Sequence, residues 1–111
     1  MLNQQVVHAD GTSLKQELEA KDLVIVDFWA AWCAPCRAMA PMLDRLAGEY
    51  PSLWIIKVDA DANREFLDVY DVKSLPTLLV YRSGKRIEQL VGKVPYAMIH
   101  RAIHSAVHAA A

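Results

Sequence analysis

Residues 23–29 read Leu-Val-Ile-Val-Asp-Phe-Trp, an unbroken apolar run, β-branched and aromatic in character, that admits a single charge, Asp27. Successive side chains of a strand point to opposite faces, so a strand that is apolar at every position has to be covered on both sides. The run predicts an interior strand of a sheet held between helices. Four residues beyond it, Cys33-Ala34-Pro35-Cys36 leads into Met39, Met42, Leu43, Leu46 and Ala47 at helical spacing, predicting a helix over 35–49. Pro35 is tolerated in a first turn, where amides have no helical partner. Pro41 lies inside the pattern and predicts a kink.

The other segments alternate in the same way. A weak strand is expected around 4–7, and Ser13 with Gln16 reads as a capping box that opens a short helix to about Ala20. Residues 53–59 predict a second interior strand, and Asn63 a cap for a short helix through Tyr70. Residues 77–81 and 87–91 predict strands joined by Arg82-Ser83-Gly84-Lys85, a hairpin signal that contains glycine. Pro95 can open a last helix that buries Ile99, Ala102, Ile103, Ala106, Val107 and Ala110. The order β-α-β-α-β-α-β-β-α predicts the α/β class: a mixed sheet between helices, parallel first and ending in an antiparallel hairpin. A chain of 111 residues without repeat, linker or low-complexity tract is expected to form one domain over 1–111.

Composition removes several functions. The chain is 54% apolar and 23% charged, as soluble proteins are, and its formal net charge of -1 leaves no basic excess for nucleic acid or anionic lipid. Met1-Leu2-Asn3-Gln4-Gln5 offers neither the basic start nor the apolar run of a signal peptide, and the most apolar stretch, 23–34, is too short to span a bilayer. A cytoplasmic location is therefore expected. The two cysteines sit three apart. In a reducing compartment such a pair is a poor static staple, and it closes too small a loop to restrict the unfolded chain much. It is either redox-active or a metal half-site, and structural zinc needs two further ligands that no second CxxC provides. His100, His104 and His108 recur every four residues on the last helix and could form a metal face, but they fall beside the apolar stripe, where a solvated flank is expected.

The redox reading assigns distinct roles. Cys33 falls where a buried strand meets a helix N-terminus, whose unpaired amides and positive end favour a thiolate, the form that attacks disulfides. Cys36, one turn deeper, is expected to be less exposed and to resolve the mixed disulfide in an effectively intramolecular step. Asp27, buried and therefore raised in pKa, is the candidate base for the Cys36 proton. Lys57, flanked by Ile55, Ile56 and Val58, is expected to approach Asp27 from a neighbouring strand. Trp29 is expected to pack under the site, and Trp32, beside the nucleophile, to be exposed for docking.

Val26-Asp27-Phe28-Trp29-Ala30-Ala31-Trp32-Cys33-Ala34-Pro35-Cys36-Arg37 closely resembles the thioredoxin family. Pro41, Lys57-Val58-Asp59, Asn63, Tyr70, Leu75-Pro76-Thr77-Leu78, Ser83-Gly84 and Val91-Gly92 extend the likeness over nearly the whole chain. The resemblance implies a thioredoxin fold, with five strands in the order 1-3-2-4-5 and four helices, and the same cysteine roles. It implies a cis Leu75–Pro76 bond facing the cysteines, where an extended substrate can pair with exposed backbone. It implies a substrate-docking rim of Trp32, Ala34, Pro35, Leu75, Pro76, Val91, Gly92 and Lys93, with Trp29 and Pro41 as support. No bound cofactor is implied. The implied partners of a monomer are disulfide-containing proteins and a thioredoxin reductase that draws on NADPH. Three residues depart from the family: Ala34 replaces a glycine, Ser74 replaces another before the proline, and Lys93 adds a charge. They bear on partner choice more than on the reaction. Pro35, where related oxidases and isomerases carry histidine, favours a reductant over a thiol oxidase or isomerase. A third reading is a binding subunit that does not need its thiols.

Overall fold

The computed structural model describes residues 5–109. Its elements in order are β1 (Val6–His8), α1 (Gly11–Ala20), β2 (Leu23–Trp29), α2 (Ala34–Glu49), β3 (Leu53–Asp59), a 3-10 helix (Asp61–Phe66), β4 (Thr77–Arg82), β5 (Lys85–Val91) and α3 (Tyr96–Val107). They form one five-stranded sheet in the order β1-β3-β2-β4-β5. β1 and β2 run parallel to β3, β4 runs antiparallel to β2, and β5 antiparallel to β4. This is the order that the resemblance implies, with three α-helices and the 3-10 helix as the four helical elements among the described residues.

The unbroken apolar run is accounted for by what lies on its two faces. Leu23 and Ile25 of β2 join Leu53 and Ile55 of β3 and Leu78 and Val80 of β4 beneath Met39, Leu43 and Leu46 of α2 and Ile99, Ile103 and Ala106 of α3. Val24, Val26 and Phe28, with Ile56 and Val58, pack on the other face against Leu14 and Leu18 of α1 and against Val72. Asp27 alternates with Val26 and Phe28, so it points toward the face that α2 covers.

Local chemistry explains where the elements differ from expectation. The α1 cap is Asp10, whose carboxylate accepts the Ser13 N–H at 2.7 Å while Ser13 Oγ accepts the Asp10 N–H; the box is built from Asp10 and Ser13, not from Ser13 and Gln16. Asn63 does not cap a helix through Tyr70. It lies buried inside the 3-10 helix with non-helical φ and ψ, and its side chain reaches away to α1. The hairpin loop has positive φ at both Ser83 (53°) and Gly84 (77°), a type I′ turn whose twist matches its strands. α2 continues through Pro41, which stands exposed on its outer side. In α3, Ile99, Ile103 and Ala106 are buried, whereas Ala102 and Val107 are only partly covered. Gln4 and Ala110 lie outside the described residues.

Candidate active site

β2 ends at Trp29, and α2 begins five residues later. Between them the Cys33 N–H donates to Ala30 O at 3.1 Å, and the Arg37 N–H to Cys33 O at 3.2 Å. Cys33 is thereby the N-cap of α2, and its Sγ accepts the Cys36 N–H at 3.2 Å. The two cysteines form a disulfide and pack with Ala30, Trp29 and Leu75. Both are buried, Cys33 at 3% exposure and Cys36 at 6%, so Cys36 is not the less exposed of the two. Trp29 and Leu75 pack against both cysteines.

Behind the disulfide lies a cavity of about 210 Å³, lined by Asp27, Trp29, Cys36, Arg37, Lys57 and His8. The sheet explains the company. Lys57 on β3 is in register with Asp27 on β2 and with His8 on β1, so the three form one row on one face. Asp27 is 4% exposed. Burial pushes its carboxyl up to about 6, and the Lys57 ammonium opposes that shift. Such a space is large enough for several waters at ~30 Å³ each.

The residues named for docking gather at this end of the sheet. The Leu75–Pro76 bond is cis. Pro76 itself is buried and Leu75 half-buried against the cysteines, while Trp32 (68% exposed) and Val91 (52%) stand out into solvent. Ala34, Pro35 and Lys93 are also exposed. Gly92 has φ +84°, a backbone that side chains rarely adopt, and its N–H donates to Pro76 O at 2.8 Å. Trp29 packs against the cysteines, and Pro41 lies more than a turn along α2 from the disulfide, exposed.

Several contacts around the site carry no sequence signal of their own. Asp61 accepts the Trp32 indole N–H at 2.8 Å and fixes that ring. Asn63 accepts the Gly11 N–H at 2.9 Å and donates to Asp59 O at 2.8 Å, tying α1 to the end of β3. His8 and Arg37 join the Asp27 cavity only through the strand register and the first turn of α2. The histidines of α3 separate: His104 and His108 are exposed, but His100 is half-buried between the rings of Tyr50 and Tyr96, with Nε2 3.4 Å from the Glu49 carboxylate. His100 thus keeps a solvent-exposed part while the Tyr50 and Tyr96 rings pack beside it. Among the described residues, no group of three or more His, Cys, Asp or Glu is arranged to hold a metal ion.

Comparison with known proteins places this geometry. Residues 5–105 match the Thioredoxin family model. The thioredoxin of Porphyra purpurea is 39% identical over 94 residues, covering 83% of this chain and 88% of that one. The chloroplastic M-type thioredoxin of Chlamydomonas reinhardtii is 42% identical over 91 residues, 81% of this chain and 65% of its own length. Among solved structures, a mutant thioredoxin from Halobacterium salinarum superposes with a TM-score of 0.87 at 27% identity, covering 100% of this chain and 99% of that one. Thioredoxins are protein-disulfide reductases that hold no bound cofactor and are themselves reduced by thioredoxin reductase. With its CxxC disulfide at the head of α2, this chain belongs to the thioredoxin family and is a dithiol–disulfide oxidoreductase.

Proposed function

We propose that the chain acts as a single-domain, monomeric reductant of protein disulfides in the cytoplasm. In this reading Cys33 is the nucleophile, Cys36 resolves and Asp27 handles the proton. The observation that supports these roles best is the arrangement around α2. Sγ of Cys33 sits at the helix N-terminus with a backbone N–H aimed at it, and Asp27 opens onto the same cavity as Cys36. Once reduced, Cys33 is held as a thiolate by that N–H and by the helix dipole. It attacks one sulfur of the substrate disulfide, whose S–S bond breaks as the mixed disulfide forms and the first substrate thiolate leaves. Cys36 gives its proton to Asp27, directly or through water, and attacks Cys33 Sγ. The second substrate thiolate leaves, two electrons have passed to the substrate, and the Cys33–Cys36 disulfide is restored. A thioredoxin reductase then returns two electrons from NADPH. Trp32, Ala34, Pro35, Leu75, Pro76, Val91, Gly92 and Lys93 form the docking rim, and Lys57 stabilises the Asp27 carboxylate between turnovers.

Insulin reduction coupled to NADPH and a thioredoxin reductase tests this reading. Turnover is expected for the native chain and none for Cys33→Ser. Cys36→Ser is expected to stop at a trapped mixed disulfide. A native chain that no bacterial reductase can drive would overturn it.

A further inference from the structure

Beside the disulfide, between Trp32 and Leu75, runs a groove of about 210 Å³ with Leu67 and Val72 along it and Arg64 and Lys73 at its edge. Its one carboxylate, Asp61, is already engaged. One oxygen accepts from Trp32 and the other lies 3.3 Å from an Arg64 nitrogen. The neighbouring Asp59 is likewise turned inward, with one oxygen on the N–H groups of Asp61 and Ala62. Lys73 is exposed and, among the described residues, has no carboxylate partner. The same is true of Lys93, which follows Gly92 on the far side of Pro76. Asp61, itself exposed, thus offsets Arg64, and Lys73 and Lys93 are the cations of the groove and rim left without a carboxylate among the described residues. The whole chain carries 12 Lys and Arg against 13 Asp and Glu, so this cationic end leaves the remaining surface net negative.

We propose that this end of the molecule selects disulfides set in acidic segments, with an Asp or Glu flanking the target cysteine seated in the Trp32–Leu75 groove against Lys73 and a second acidic position met by Lys93. The proposal rests on the docking reading given above and names its substrate class. An unpaired lysine at a groove edge attracts a carboxylate without first breaking an internal ion pair. A single pair ~7 Å apart in water changes the encounter about threefold. A patch of one sign also steers approach, and salt screens it.

The test is single-turnover reduction by the pre-reduced full chain, followed by tryptophan fluorescence. Three disulfide peptides of equal length are compared, differing only in Asp, Ser or Lys beside the cysteine. At low ionic strength the second-order rate constants are expected to fall in the order Asp, Ser, Lys by about threefold per step, and to converge near ~0.5 M salt, where the screening length is only a few ångströms. Lys73→Glu is expected to invert the order, and Lys93→Glu, an independent reversal at a second exposed site, to flatten it. Equal rates for the three peptides at low salt overturn the acidic preference while leaving the reductase reading intact. An order that persists in both variants removes Lys73 and Lys93 as its cause and overturns the proposal. Failure to reduce any of the three overturns the reductase reading instead.

Discussion

Asp27 shows how much a single side chain decides. Its carboxyl titrates near 6, against an ordinary 3.8, because burial disfavours the charge by more than Lys57 restores. Between about pH 4 and pH 6 the folded chain therefore binds more protons than the unfolded one. Stability then falls as pH rises through that window and levels off above it. A shift of about two units corresponds to roughly 3 kcal/mol. Asp27→Ala is expected to raise stability by up to about that amount at about pH 7.5, and by little at about pH 4, in urea titrations at both values. An equal gain at both would show that the buried charge is not the cause. The same variant is expected to slow resolution by Cys36 at least tenfold, as loss of a general base does, and to change attack by Cys33 far less, which stopped-flow mixing separates. Equal slowing of the two steps would remove the proton role. The burial of Asp27 was legible in the sequence, since it is the one charge in an apolar run. The approach of Lys57 from a neighbouring strand was anticipated too, but the place of His8 in their row was not, because the register of parallel strands separated by a helix is set by the crossover and leaves no local mark.

At the scale of elements, the joint between α1 and the end of β3 depends on Asn63. Its amide satisfies two backbone groups at once, the N–H of buried Gly11 and the carbonyl of Asp59. Gly11 is pressed under Phe66, where an added Cβ would come within 1.9 Å of the ring, so nothing larger can replace the lost contact from that side. Asn63→Ala is expected to cost about 1–3 kcal/mol, since the buried Gly11 N–H and the part-buried Asp59 carbonyl lose their partner, and to lower Tm by at least ~4 °C in a thermal scan, at roughly 4 °C per kcal/mol. A loss below about 0.5 kcal/mol would mean that neither bond matters. Sequence pattern located α2, α3 and the strands β2 to β5 closely, because their apolar spacing reports directly on the face they bury, whereas the weak signal at 4–7 overlaps β1 only at Val6 and Val7. It misread the α1 cap and the segment after β3. Both are held by hydrogen bonds between side chain and backbone, one of them bridging 52 positions, and such bonds have no periodicity.

For the whole molecule, one sheet separates two apolar layers, and each layer holds a helix set to that sheet. Leu14, on the α1 side, and Ile103, on the α3 side, are both fully buried. Truncation of either to alanine is expected to cost about 2–5 kcal/mol. Far-UV circular dichroism and tryptophan fluorescence are expected to report one coincident transition in each variant, because the layers share every central strand. Transitions that split between the probes would show the layers unfolding separately. The larger scale also sorts charge: among the described residues, Lys73 and Lys93 near the disulfide end stand exposed without a carboxylate partner. The sequence by itself determined the α/β layering, the redox pair at a strand–helix junction and the buried carboxylate nearby, since each follows from side-chain period, helix-end chemistry or the cost of burying charge. Only the tertiary structure decided that His8 joins Asp27 and Lys57 in one row behind Cys36. It alone set Asp61 under Trp32, and grouped Arg64 and Lys73 along one groove. Those are meetings of segments distant in the chain, and the crossovers and register that bring them together are fixed by packing of the whole.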